Sequence, residues 1–168
     1  MSIAPRRLHA WLTRFESVLA ALAYTIVALL LISDVLGREA FGHSVYGAHK
    51  MAVFAAVVAG FLGFSLATGA ARHLRPGFLD GVFPQRLNTL VWRIADGLSA
   101  VIYIFFAIVA IEFIITSMQA GDKAAVLYWV LWPFQIVIPY AFFSSGLQHM
   151  LFAIWPELKP QSDGIAVH

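Results

Sequence analysis

Four long apolar runs, separated by three polar stretches punctuated with glycine and proline, set the pattern of the chain. They cover roughly 17–36, 49–69, 94–118 and 128–154, each about the length that crosses a bilayer as a helix. Such a pattern predicts an all-α integral membrane protein with four transmembrane helices in a single domain, 1–168. The first connector, Asp34 to Lys50, is short, polar and carries three glycines, which predicts a tight helical hairpin at one membrane face. Ahead of the first run, Leu8, Trp11, Leu12 and Phe15 fall on one helical face, with Arg7, His9 and Arg14 on others. Residues 1–16 are therefore expected to form an amphipathic lead-in, either lying apolar side down among the membrane lipids or continuing the first helix into the cytoplasm. The run that follows is too long for a signal peptide and lacks a small-residue cleavage site, so it is expected to remain as a helix.

The second connector, 70–93, mixes basic residues with Phe78, Leu79, Val82, Phe83 and Leu87 around Pro76, Gly77, Gly81 and Pro84. This composition fits a second interfacial segment returning to the membrane. A short polar loop is expected at 119–123, and Pro139 is expected to kink the fourth helix because it cannot donate to the carbonyl of Gln135. Helix two carries Ala55, Ala59, Gly63 and Ala67 at four-residue spacing, a ladder on which another helix can pack closely. The tail, 156–168, is polar.

Composition agrees with the pattern, since 61% of the chain is hydrophobic and only 12% charged. The absence of cysteine excludes disulfides, thiolate catalysis and cysteine-ligated metal. Charge then sets orientation. With both termini cytoplasmic, eight of the eleven Lys and Arg residues fall inside, and only Arg38, Lys50 and Lys123 outside. Trp11, Trp92 and Trp155 mark the inner interface, and Tyr46, Tyr128, Trp129 and Trp132 the outer one. The small net charge of +2 is thus a membrane-topology signature, and no nucleic-acid partner is implied.

Few residues suggest chemistry. Glu112 is the one carboxylate well inside an apolar run, so a stand-alone proton-coupled carrier would have to use it; otherwise it bonds a neighbouring helix or a partner subunit. Asp34 and Arg38 are spaced to pair on the last turn of helix one, and Asp96 lies near Arg93 at the inner face. A di-haem cytochrome would need deep histidines on facing helices, whereas His49, His73 and His149 lie at or near helix ends. No catalytic triad, metal cluster, phosphate loop or cofactor motif is present, so an enzyme is not expected.

Three motifs in order add a family resemblance. Asp34, Val35, Gly37, Arg38 and Phe41 end helix one, with Ser44 and Gly47 in the turn. His73, Leu74, Leu79, Phe83, Pro84 and Arg86 recur through the inner connector, and Trp132, Pro133 and Pro139 open helix four. From Arg14 to Trp155 the chain resembles the DctQ-like small membrane subunit of tripartite ATP-independent periplasmic (TRAP) transporters. It departs from that pattern at His49 and Lys50, where the family carries acidic residues, and at Gly77, where it carries Asp. The resemblance implies a bacterial inner-membrane protein without cofactor that binds a large DctM-like subunit holding the substrate and sodium sites. It further implies a periplasmic DctP-like binding protein that delivers an organic acid, and a scaffold role for this chain. On this reading Asp34, Gly37, Arg38, Phe41, Gly47, His73, Pro84, Glu112, Trp132 and Pro139 are candidates for shaping the hairpin and packing on the partner. Lys50 and Lys123 are candidates for docking the binding protein at the outer face.

Overall fold

The computed structural model describes residues 3–70, 85–125 and 127–159. Its helices are α1 (Ile3–Phe41), α2 (Ala48–Gly69), α3 (Gln85–Ala120), the single turn α4 (Trp132–Gln135) and α5 (Val137–Ile154). A 3-10 turn, Pro156–Leu158, follows. Four stretches are long and apolar enough to cross a membrane: Arg6–Phe41, Ala48–Gly69, Leu90–Ala120 and Trp132–Ile154. Of the basic connector, 71–84, with His73 and Pro84, lies outside the described residues, as does the tail beyond 159, while 85–93 forms the first turns of α3 and not an interfacial segment.

The lead-in is not a separate element. α1 runs unbroken for 39 residues, about 58 Å at the helical rise of about 1.5 Å per residue. That is nearly twice the hydrocarbon thickness of about 30 Å, so the helix extends well past the apolar layer. Leu8, Trp11 and Phe15, the expected membrane-facing set, are exposed on the chain. The buried stripe is instead Leu12, Glu16, Ala20 and Ala23, continuous with the face that meets α2. The amphipathic signal was real, but its packing face was Leu12's side.

α1 packs along α2, α2 along α5, and α5 along α3, so the spans form a row in the order α1, α2, α5, α3. α5 is the most enclosed: 44% of the Trp132–Ile154 window is buried, against 17% for that of α1. Small residues at the seams allow this. Ala20 and Ala23 of α1 face Ala52 and Ala59 of α2, and Ala100, Ala107 and Ala110 of α3 face Ala141 and Gly146 of α5, all buried. In lipid, where apolar side chains gain nothing by leaving the tails, such close backbone contact drives helix association. A Cβ at Gly146 would stand 2.9 Å from Ile104 Cδ1 and 3.4 Å from the Ala100 carbonyl, so α3 and α5 approach closely there and a side chain would make Ile104 shift. Phe64 and Tyr103 reach across the row and both meet Phe142 of α5.

The fourth span starts at Trp132, later than expected, and its helix is interrupted once. Residues 121–131 form a turn closed by an antiparallel bridge between Lys123 and Val130 and by Ala124 N–H donating to the Trp129 carbonyl at 2.7 Å. Tyr128 sits there at φ 54°, outside any helix. α4 then makes one turn, breaks at Ile136, and α5 restarts. Pro139 lies in the first turn of α5 and has no N–H to offer the carbonyl of Gln135, the residue at which α4 ends.

Candidate functional site

Two ends of the row carry the polar chemistry. At the hairpin end, Arg38 Nη2 lies 3.3 Å from Asp34 Oδ2 on the last turns of α1. The carboxylate is nearly enclosed and the guanidinium more than half exposed. The chain turns back through Gly42 and Gly47, both at positive φ, with Gly42 N–H donating to the Arg38 carbonyl at 3.1 Å. At Gly47 the φ of 76° caps α2 in the left-handed region, where a side chain costs about 1–2 kcal/mol. A Cβ on Gly37 would stand 3.0 Å from Val45 Cγ2 and 3.2 Å from the His43 carbonyl, so the returning loop lies directly on α1. Phe41 is exposed and stacks on His43 at 6.2 Å. These turns leave an open depression of about 610 Å³ bordered by Asp34, Arg38, Tyr46, His49 and Lys50. Lys50 projects from the first turn of α2 and Lys123 from the 121–131 turn; both are exposed. Trp132 opens α4 half-buried, and Pro139 is buried in α5.

At the opposite end, near the termini, two buried polar latches join the helices. In the first, Glu16 of α1 is fully buried. Its Oε1 accepts hydrogen bonds from Ser65 Oγ of α2 at 2.8 Å, from Ser144 Oγ of α5, and from Tyr140 Oη at 3.4 Å. Gln148 Nε2 donates to Ser144 Oγ at 3.3 Å and to Ser65 Oγ at 3.5 Å. Tyr140, Ser144 and Gln148 lie four apart on α5, which presents them as one polar stripe toward α1 and α2. Because each hydroxyl donates to a carboxylate away from water, this latch fixes the register of three helices at once.

In the second latch, Asp96 of α3 lies 3.1 Å from His149 Nδ1 of α5. Lys159 Nζ, just past the 3-10 turn, reaches Asp96 Oδ2 at 2.9 Å and Oδ1 at 3.1 Å. Tyr103 stacks on the His149 ring at 5.3 Å. Asp96 thus pairs across to α5, not with Arg93 on its own helix; Arg93 Nε donates instead to the Ala153 carbonyl at 2.9 Å. The chain segment after α5 is therefore tied back onto α3 as far as Lys159.

Glu112, by contrast, is brought to nothing. It lies exposed on α3, and no side chain among the described residues meets its carboxylate. The buried carboxylate of the bundle is Glu16, which the sequence pattern placed in a surface lead-in. The signal that marks it is its place in the Leu12, Ala20, Ala23 stripe, opposite hydroxyl pairs in two other helices.

Comparison with known proteins agrees with this architecture. The sequence profile of the family described as "Tripartite ATP-independent periplasmic transporters, DctQ component" matches residues 27–155. The ectoine TRAP transporter small permease protein TeaB of Halomonas elongata is 18% identical over 143 residues, covering 85% of this chain and 74% of TeaB. No solved structure matches the chain. The profile covers the end of α1, all of α2 to α5, the hairpin with Asp34 and Arg38, and the Asp96–His149 latch. The chain belongs to the DctQ family, the small membrane subunits of TRAP transporters, and is a multi-pass protein of the bacterial inner membrane.

Proposed function

We propose that this chain is a static scaffold: it enlarges and steadies the immobile part of a sodium-coupled transporter while a large DctM-like subunit carries an organic acid across. The termini lie in the cytoplasm and the hairpin end faces the periplasm. A DctP-like binding protein delivers the substrate there, docking on the surface that holds Lys50 and Lys123.

The observation that carries this reading is how the polar side chains inside the row are used. Glu16, Ser65, Ser144 and Gln148 bond one another across three helices, and Asp96, His149 and Lys159 bond across two. Groups engaged in this way hold helices in place and are not arranged along a path. The larger crevices along the spans are apolar, one lined by Ile26, Leu30, Phe54 and Val58, another by Val57, Phe61, Phe64 and Phe142. A carrier acting alone through Glu112 would need that carboxylate inside the bundle, and it faces away from every other helix of the chain.

Uptake by reconstituted vesicles tests the proposal. Organic-acid uptake should require this chain, the large subunit, the binding protein and an inward sodium gradient together. Transport by this chain alone, lost in Glu112→Gln, would overturn it. Docking has its own test, because complementary surface charge acts mainly on encounter. The double reversal Lys50→Glu, Lys123→Glu should lower uptake severalfold at limiting binding protein and little at saturation. Unchanged uptake at both would remove these lysines from the docking surface.

A further inference from the structure

Among the described residues the row of helices has two free edges, and they differ in one respect. Along α3, the residues that face α5 are Asp96, Ala100, Ala107, Ala110, Ile114 and Ser117, all buried at three- and four-residue spacing. At about 100° per residue, Glu112 points almost directly away from that stripe. Its neighbours on the free edge are Val101, Phe105 and Ile108, exposed by 67%, 61% and 52%. Glu112 lies eight residues before the helix end at Ala120, about 12 Å along the axis, within the apolar Leu90–Ala120 span. A carboxylate facing lipid at that depth is costly unless a protein group meets it.

The free edge of α1 is different. Between Ser17 and Ser33 it carries no charged residue. Its exposed hydroxyls at Ser17 and Thr25 already donate to the carbonyls of Thr13 and Ala21 in their own helix. No charged side chain faces outward along that edge between Ser17 and Ser33, whereas Glu112 does along the edge of α3.

We infer that the α3 edge is the face on which the large membrane subunit docks, with a cationic or hydrogen-bond-donating side chain of one of its helices meeting Glu112 within the bilayer. The inference rests on the small-subunit reading above and adds which face is used and what the partner must present. A donor at that depth satisfies the carboxylate, and Phe105 and Ile108 supply apolar contact beside it. Because Glu112 meets no other side chain among the described residues, the isolated subunit does not need it to fold.

Photo-crosslinking in native membranes tests this on the assembled complex. A benzophenone amino acid would replace Ile108 or Ile115 on the α3 edge, and Leu22 or Leu29 on the α1 edge, with the tagged chain co-expressed with its large subunit. Adducts of the combined mass of the two subunits are expected from the α3 positions and not from the α1 positions. In parallel, Glu112→Gln should weaken retention of the large subunit in detergent about three- to thirtyfold, the range of one interhelical hydrogen bond in lipid. Glu112→Leu should weaken it at least as much, yet leave the melting temperature of the isolated chain unchanged or higher.

Adducts only from the α1 edge, adducts at twice the mass of this chain, or full retention of the large subunit by both variants would overturn the inference while leaving the small-subunit reading intact. If the unmodified chain retained no large subunit at all, the small-subunit reading would fall and the inference with it.

Discussion

Glu16 shows most clearly how one residue organises this protein. A carboxylate in a low-dielectric interior is unfavourable unless hydrogen bonds meet it, and here three hydroxyls on two other helices do so. Truncation would strand those hydroxyls and open a void, so Glu16→Ala should destabilise the isolated subunit by about 1–3 kcal/mol. Glu16→Gln, which keeps the volume and one acceptor, should cost less. Thermal unfolding in detergent reads both, and equal effects would mean that the latch contributes by size alone. A second comparison sets the buried acid at each end against the other. Asp96 is held by His149 and Lys159 at 9% side-chain exposure, whereas Arg38 is 57% exposed beside Asp34. Screening by water leaves an exposed pair worth about 0–1 kcal/mol. Asp96→Ala should therefore lower the melting temperature distinctly more than Arg38→Ala.

At the scale of elements, backbone proximity governs. Gly146 lets α3 and α5 touch, and the space a side chain would need is occupied by Ile104. Gly146→Val should push these helices apart and cost about 1–3 kcal/mol, while Gly60→Val, with open space around it, should cost little beyond the loss of glycine itself. The helices were legible from the sequence because membrane-length apolar runs bounded by glycine, proline and charge leave little choice. Their ends were less so. That α1 continues through Arg14 to Ile3 agrees with the helical spacing of Leu8, Trp11, Leu12 and Phe15, but that its packed face is the one with Leu12 and Glu16 depends on α2 and α5. The late start of the fourth span depends on the Lys123–Val130 bridge, a tertiary feature of a stretch whose composition reads as helix. The hairpin was different: Asp34, Gly37, Arg38 and Gly47 stand close in sequence, so the ion pair and the turn were both readable.

At the scale of the molecule, the row of helices is joined by contacts between residues far apart in the chain. Ser65 and Ser144 lie 49 and 128 residues from Glu16, and His149 lies 53 residues from Asp96. Separations of that kind leave no local pattern, which is why both latches were invisible while the spans were plain. The sequence drew attention to Glu112 because it is a lone acid in an apolar run. The fold reverses the meaning of that signal, since it turns the residue outward. The row carries both polar latches at one end and a shaped hairpin at the other, and its broad sides between them are apolar.

The most direct test of that account is the composition and activity of the purified complex. The tagged chain would be co-expressed with its large subunit, extracted in mild detergent, weighed, and reconstituted with the binding protein. The account predicts a stable complex of the two membrane subunits that takes up substrate, and no uptake by this chain alone. A homodimer of this chain that binds no larger membrane protein, and transports by itself, would contradict it.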